Sequence, residues 1–195
     1  MIEITENFLP KEKFKEIHDK IFSQNFTWAL AHDVVSDRPE WGATCEDIYN
    51  WQLIHNFYES PATLSEAINT MNPIMKIINP KLLIRIKANL TPRADKIVEH
   101  GFHRDVEPPI PGATTSILYF NTNNGYTKFQ DGTEVPSVAN TFVTFPSDMK
   151  HTGTTCTDQK FRSVINFNLV FSARSNLNLL TKSVNTKPFI CSFSC

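Results

Sequence analysis

Two hydrophobic periodicities share this chain, and they change over near residue 80. From Lys11 to Phe26 the apolar residues Phe14, Ile17, Ile21 and Phe22 fall at helical spacing, with lysines and glutamates between them. That pattern predicts an amphipathic helix opening just after Pro10. Residues 28–45 follow neither period and read as irregular, with Asp37-Arg38-Pro39 as a turn. Ile48 to Phe57 carries β-branched and aromatic residues and predicts a strand. Ser60-Pro61 reads as an N-cap followed by a proline at the first helical position. Leu64, Ala67, Ile68, Met71 and Met75 then continue an apolar helical face that Pro73 should kink or divide.

Beyond Lys81 the period shortens to that of strands. Leu82–Leu90 predicts a strand, followed by a loop at Thr91–Asp95, and 97–105 a further extended segment. Thr114–Asn121 is strongly strand-like, and Asn123-Asn124-Gly125 signals a turn. Tyr126–Gln130 and Thr133–Val135 flank Asp131-Gly132 as a hairpin. Thr141–Phe145 and Arg162–Phe171 complete the set. Helices first and antiparallel strands afterwards predict a mainly β fold with flanking α-helices, a double-sheet barrel. With no repeat or low-complexity linker, residues 1–195 read as one domain, with a helical part over about 1–80 and a barrel core over about 81–172.

Composition narrows the function classes. A formal net charge of -1 over 195 residues gives no basic field to draw nucleic acid or a membrane surface. No apolar run approaches the ~20 residues needed to cross a bilayer. Met1–Glu6 lacks the charged and then apolar regions of a secretion signal. The cysteines at 45, 156, 191 and 195 form no CxxC pair, so free thiols in a reducing cytoplasm are the expectation. Cys156 reads as a loop thiol, and Cys191 and Cys195 could pair or bind metal at the tail.

The candidate chemistry sits at His103-Arg104-Asp105, His151 and Arg162. On a strand, His103 and Asp105 point to the same side. A second imidazole from His151 completes two nitrogens and one carboxylate on one face of a metal, leaving the other face open, as in non-haem Fe(II) oxygenases. Arg162 offers a planar fork for the far carboxylate of a bound 2-oxo acid. His-Arg-Asp also opens the catalytic loop of protein kinases. That loop requires an asparagine where this chain has Ile110, and neither Asp-Phe-Gly nor a glycine-rich phosphate loop occurs. The remaining histidines, at 18, 32, 55 and 100, have no matching partners in the sequence and read as solvated or packed.

From about Leu82 to Phe171 the chain resembles the catalytic core of the prolyl-hydroxylase branch of the Fe(II)- and 2-oxoglutarate-dependent oxygenases. His103-Arg104-Asp105 matches that family's His-x-Asp. Thr115–Asn121 looks like the strand that supplies a tyrosine to the cosubstrate, Gly125–Phe129 like a Gly-Gly-x-x-x-Phe hairpin strand. Phe142–Pro146 followed by His151 matches the strand and turn that deliver the second histidine, and Arg162–Phe167 the segment that anchors the cosubstrate. The resemblance implies a double-stranded β-helix (jelly roll), Fe(II) held by His103, Asp105 and His151, 2-oxoglutarate on Arg162 and Tyr119, and molecular oxygen. Asn166, by alternation from Arg162, and Thr127, from the hairpin, are further cosubstrate candidates. The family often has a tyrosine late in the strand before His-x-Asp, where this chain has Lys87-Ala88-Asn89-Leu90. A peptidyl or amino-acid substrate is the expectation, with a small metabolite also open. The entrance is expected from residues 91–98, 107–112 and the loop with Trp41. The alternative is a jelly-roll binding module holding zinc or manganese without turnover.

Overall fold

The computed structural model describes residues 1–35 and 47–171. The expected turn at Asp37-Arg38-Pro39, Trp41, Cys45, Cys191 and Cys195 lie outside the described residues.

The strands are β1 (Glu3–Thr5), β2 (Ala29–Ala31), β3 (Gln52–Glu59), β4 (Thr63–Leu64), β5 (Pro80–Pro92), β6 (Thr114–Tyr119), β7 (Tyr126–Phe129), β8 (Glu134–Pro136), β9 (Phe142–Pro146), β10 (His151–Gly153) and β11 (Phe161–Phe171). The helices are α1 (Lys11–Ile21) and α2 (Asn72–Ile78). A large antiparallel sheet runs β1-β9-β6-β11-β5-β3-β2, with β4 on β3, and a small one runs β10-β7-β8. The fold is a jelly roll flanked by helices, as expected.

β5 and β11 form the backbone of the large sheet, pairing from Pro92 opposite Phe161 to Pro80 opposite Phe171. Their alternation sorts residues to two faces. Ile86, Ala88, Ile165 and Phe167 point outward and are fully buried beneath α1 and α2 together with Phe57, Ile17, Ile21, Ile74 and Ile78. Each of these isoleucines and phenylalanines contributes about 1.5–3 kcal/mol by leaving water. Inward, a smaller apolar cluster of Ile117, Tyr119, Phe129, Val143, Phe145 and Val164 closes one end of the space between the sheets. The rest of that inner face is polar.

The departures from the expected elements have local causes. α1 stops at Ile21, where Phe22 caps it at φ -99°, ψ 12°. Phe22 and Phe26 lie beyond it in an aromatic layer, Phe22 stacking on Phe161 at 5.1 Å and Phe26 edge-on to Trp28 at 5.3 Å. Ser60-Pro61 is no helix start: it turns β3 into β4, with the Ala62 amide bonding the Glu59 carbonyl. The capping serine is Ser65, whose Oγ accepts from the Ala67 amide at 3.1 Å. Pro73 divides the following apolar face into a 3-10 turn, Glu66–Met71, and α2, where it occupies the first turn and its missing N–H has no bond to lose. β5 runs through Thr91 and Pro92, which were expected in a loop, because β11 pairs with both. The segment 97–105 forms no continuous strand; it touches β10 through isolated bridges at Glu99 and His103. β1 and β2, at three residues each, are too short to show a period. Among the described residues no helix is long and apolar enough to cross a membrane.

Candidate metal centre

One cavity opens on the inner face of the large sheet, about 570 Å³ counted with its mouth, and its lining includes His103, Asp105, His151, Arg162, Thr127 and Asn166.

The histidines meet because their backbones pair: the His103 amide donates to the His151 carbonyl at 2.9 Å and the reverse bond is 3.0 Å. Asp105, two residues on, turns to the same side. Its Oδ1 lies 3.8 Å from Nε2 of His103 and its Oδ2 3.9 Å from Nε2 of His151. All three ligand atoms lie within 4.8 Å of one another. Ligands at ~2.1 Å from one ion and on one face of it are ~3 Å apart, so this set would hold a first-row divalent metal once the side chains draw together by about 1–2 Å. The tautomers fit too. Nδ1 of His103 faces the Gly101 carbonyl at 3.2 Å and Nδ1 of His151 the Met149 carbonyl at 3.4 Å, which leaves each Nε2 lone pair for a metal.

Electrostatics prepare the same state. Burial, then the nearby His103, pushes His151 down to about 4, so it is a neutral donor at ordinary pH. Burial opposes ionisation of Asp105, but Arg85 and the two histidines outweigh it and hold its carboxyl below the usual carboxylate range. Arg85 Nη2 pairs with Asp105 Oδ1 at 3.1 Å, and Asn166 Nδ2 donates to Oδ2 at 3.1 Å. Asn168 Nδ2 reaches Oδ2 at 3.5 Å and donates to Thr115 at 3.0 Å.

The other end of the cavity is built around Arg162, which is 5% exposed. Its Nε donates to Ser137 Oγ at 2.7 Å and its Nη2 to Thr127 Oγ1 at 3.0 Å; the Tyr119 hydroxyl donates to the same Oγ1 at 2.8 Å. The guanidinium lies 5.6 Å from the Tyr119 ring centre. Burial lowers the pKa of Arg162 and raises that of Tyr119, and a guanidinium remains cationic at neutral pH all the same. Among the described residues no carboxylate pairs with it, and Nη1 makes no hydrogen bond. A buried cation without an acid partner is costly unless an anion comes to it. Glycine at 125 makes room: a Cβ there would sit 2.6 Å from the Thr155 carbonyl and 2.8 Å from Arg162 Cδ. His100 lines the space between the two ends and is pushed down to about 4 by burial, then by Arg162 and His103.

The metal candidates His103, Asp105 and His151 thus converge, as do Arg162, Tyr119 and Thr127. Asn166 stands apart from Arg162 and braces Asp105. Sequence reasoning missed Arg85, Asn168, Ser137 and the place of His100. Arg85 and Asn168 carried a signal, since both continue an inward polar alternation: 85, 87, 89, 91 on β5 and 162, 166, 168 on β11. Ser137, on the turn after β8, carried none.

No model of a known protein family and no curated protein matches the sequence. Solved structures do match in fold. An oxidoreductase of the 2OG-Fe(II) oxygenase family from Burkholderia pseudomallei aligns over 86% of this chain and 84% of its own, with a TM-score of 0.58 and 10% identity. A Pseudomonas putida prolyl-4-hydroxylase aligns over 87% and 92%, with a TM-score of 0.53 and 14% identity. A Trichoplax adhaerens prolyl hydroxylase, solved with a hypoxia inducible factor peptide fragment, aligns over 91% and 86%, with a TM-score of 0.54 and 12% identity. The chain shares the fold of these oxygenases across most of its length.

Proposed function

We propose that the protein is an Fe(II)- and 2-oxoglutarate-dependent dioxygenase of the prolyl-hydroxylase-like branch, which hydroxylates a peptidyl or amino-acid substrate. One observation carries the reading: a single cavity has two imidazoles and a carboxylate at one end and a buried, acid-free guanidinium at the other. A metal alone would call for the first group and not the second. A 2-oxo diacid calls for both, one end at the metal and the far carboxylate on Arg162.

His103, Asp105 and His151 hold the metal on one side of the cavity. Arg85, Asn166 and Asn168 orient the Asp105 carboxylate. Arg162 binds the distal carboxylate through the unused Nη1 edge, while Thr127 and Ser137 fix the plane of the guanidinium and Tyr119 flanks it. Bound there with 2-oxoglutarate and oxygen, Fe(II) supplies the oxidation in which one oxygen atom enters a substrate C–H bond and the other leaves in succinate with loss of CO2. The fold shared with prolyl hydroxylases, one of them peptide-bound, supports the substrate class.

Succinate release tests the proposal. Protein loaded with Fe(II) and given 2-oxoglutarate in air should form succinate, and faster with proline-containing peptides or free amino acids present. Metal binding with no 2-oxoglutarate consumption under any of these conditions would favour the zinc- or manganese-binding module instead.

A further inference from the structure

The reading above matches every charge in the cavity except those on one strand face. The two charges of a divalent metal are balanced by Asp105 and the chelating carboxylate of 2-oxoglutarate, and Arg162 is balanced by the far carboxylate. Arg85 then shares its partner Asp105 with the metal. The ammonium of Lys87, one inward step further along β5, has no partner: among the described residues its Nζ makes no hydrogen bond and no ion pair, although the residue is half-buried and lines the cavity. Glu59, the other acid whose charge acts on it, is exposed at the end of β3, opposite Arg85. Burial, then Arg85, lowers the pKa of the lysine, as expected of a cation short of anions.

Register places this cation at the metal end. Lys87 pairs with Asn166 of β11 on one side and Asn56 of β3 on the other, and Asn166 donates to Asp105. Arg162 stands four residues away along β11, about 13 Å of strand. Asn166 lines the same cavity, and its side-chain oxygen is buried and accepts no hydrogen bond.

We propose that Lys87, backed by Arg85, is the subsite for a carboxylate of the substrate to be oxidised, and that this substrate is a free α-amino acid or close analogue rather than an internal peptide segment. The inference rests on the proposed oxygenase function and sharpens its substrate class. An internal peptide segment of neutral residues brings only amides, leaving Lys87 unmatched and Arg85 with no more than its share of Asp105. A free amino acid brings the missing carboxylate and an ammonium that can donate to the unpartnered Asn166 oxygen.

Calorimetry on the intact protein, loaded with Mn(II) and 2-oxoglutarate, separates the possibilities without turnover. The probes are the free proteinogenic amino acids, their carboxamides, and blocked peptides of the same residues. At least one free acid should bind, its carboxamide at least tenfold more weakly. Lys87→Met should lose at least tenfold for that acid while changing 2-oxoglutarate affinity less than twofold. Acids and carboxamides binding alike, blocked peptides binding best, or no acid binding to a wild type that does bind 2-oxoglutarate would each overturn the proposal. A Lys87→Met protein weakened equally toward 2-oxoglutarate would assign the lysine to the cosubstrate, also overturning it. Because the acid–carboxamide comparison uses the wild type, it stands even if Lys87→Met folds poorly. Failure of the wild type to bind 2-oxoglutarate at all would instead count against the oxygenase reading.

Discussion

The two faces of β5 and β11 are made from the same two strands and do opposite work. Outward, Ile86, Ala88, Ile165 and Phe167 are each at most 1% exposed and pack under the helices. Inward, Lys87, Asn89, Arg162 and Asn166 line a cavity where desolvation is expensive, and Arg85 and Asn168 reach Asp105 beside it. The outer face stabilises the sheet, and that stability holds the inner face's polar groups where a ligand can use them. Substitutions on the two faces should therefore have separable effects.

The largest effect is expected at the inner face and in activity. His151→Ala or Asp105→Ala should remove turnover altogether, at least a thousandfold by succinate assay, with metal affinity lost in parallel. Retention of far-UV circular dichroism would show that the sheet survives. At the outer face, Phe167→Ala should cost about 3–5 kcal/mol in chemical denaturation, from lost burial and the cavity left behind. Its active-site affinities should persist wherever the protein is folded. If the outer-face change abolished 2-oxoglutarate binding in fully folded protein, the division between the faces would fail.

A smaller effect sharpens the comparison within the cavity. Arg162→Ala should weaken 2-oxoglutarate by about 10–100-fold, the range expected for charge-assisted hydrogen bonds, and Arg162→Lys should fall between it and wild type. Gly125→Ala should mimic part of that loss, because its Cβ would displace the Thr155 carbonyl or the Arg162 side chain.

His100 ties the inner face to pH. Its folded-state pKa of about 4 lies below the ordinary 6.5, so the unfolded chain takes up the proton first. Its burial therefore costs nothing above pH ~6.5 and destabilises as pH falls toward 4, by at most about 1.4 kcal/mol per pH unit. His100→Phe should roughly halve the dependence of unfolding free energy on pH across that window, since His151 carries a like shift. An unchanged slope would show that His100 does not carry it. The smallest effect is expected at Lys87, where Lys87→Met should raise stability by about 1 kcal/mol by removing a half-buried, unpaired charge.

The same contrast explains what was legible in the sequence. The jelly roll, the convergence of His103, Asp105 and His151, and the inward place of Arg162 follow from strand alternation and ordered motifs. The outer face showed itself through helical and strand periods, apart from the true cap at Ser65, which Ser60-Pro61 imitated in a hairpin turn. Arg85 and Lys87 were visible as polar residues in an apolar strand, but their inward direction depends on the register of β5 against β11. Asn166 was assigned to the right wall, and its partner depended on how far along that wall Asp105 arrives. Ser137 reaches Arg162 from a turn that no local pattern links to it.

The central claim is that the two ends of the cavity serve one ligand. Titrating 2-oxoglutarate anaerobically into wild type and Arg162→Ala, each with and without Fe(II), tests it most directly. Tight binding is predicted only for wild type with metal, with both omissions weakening it. Binding that ignores the metal, or is equal in Arg162→Ala, would contradict the account.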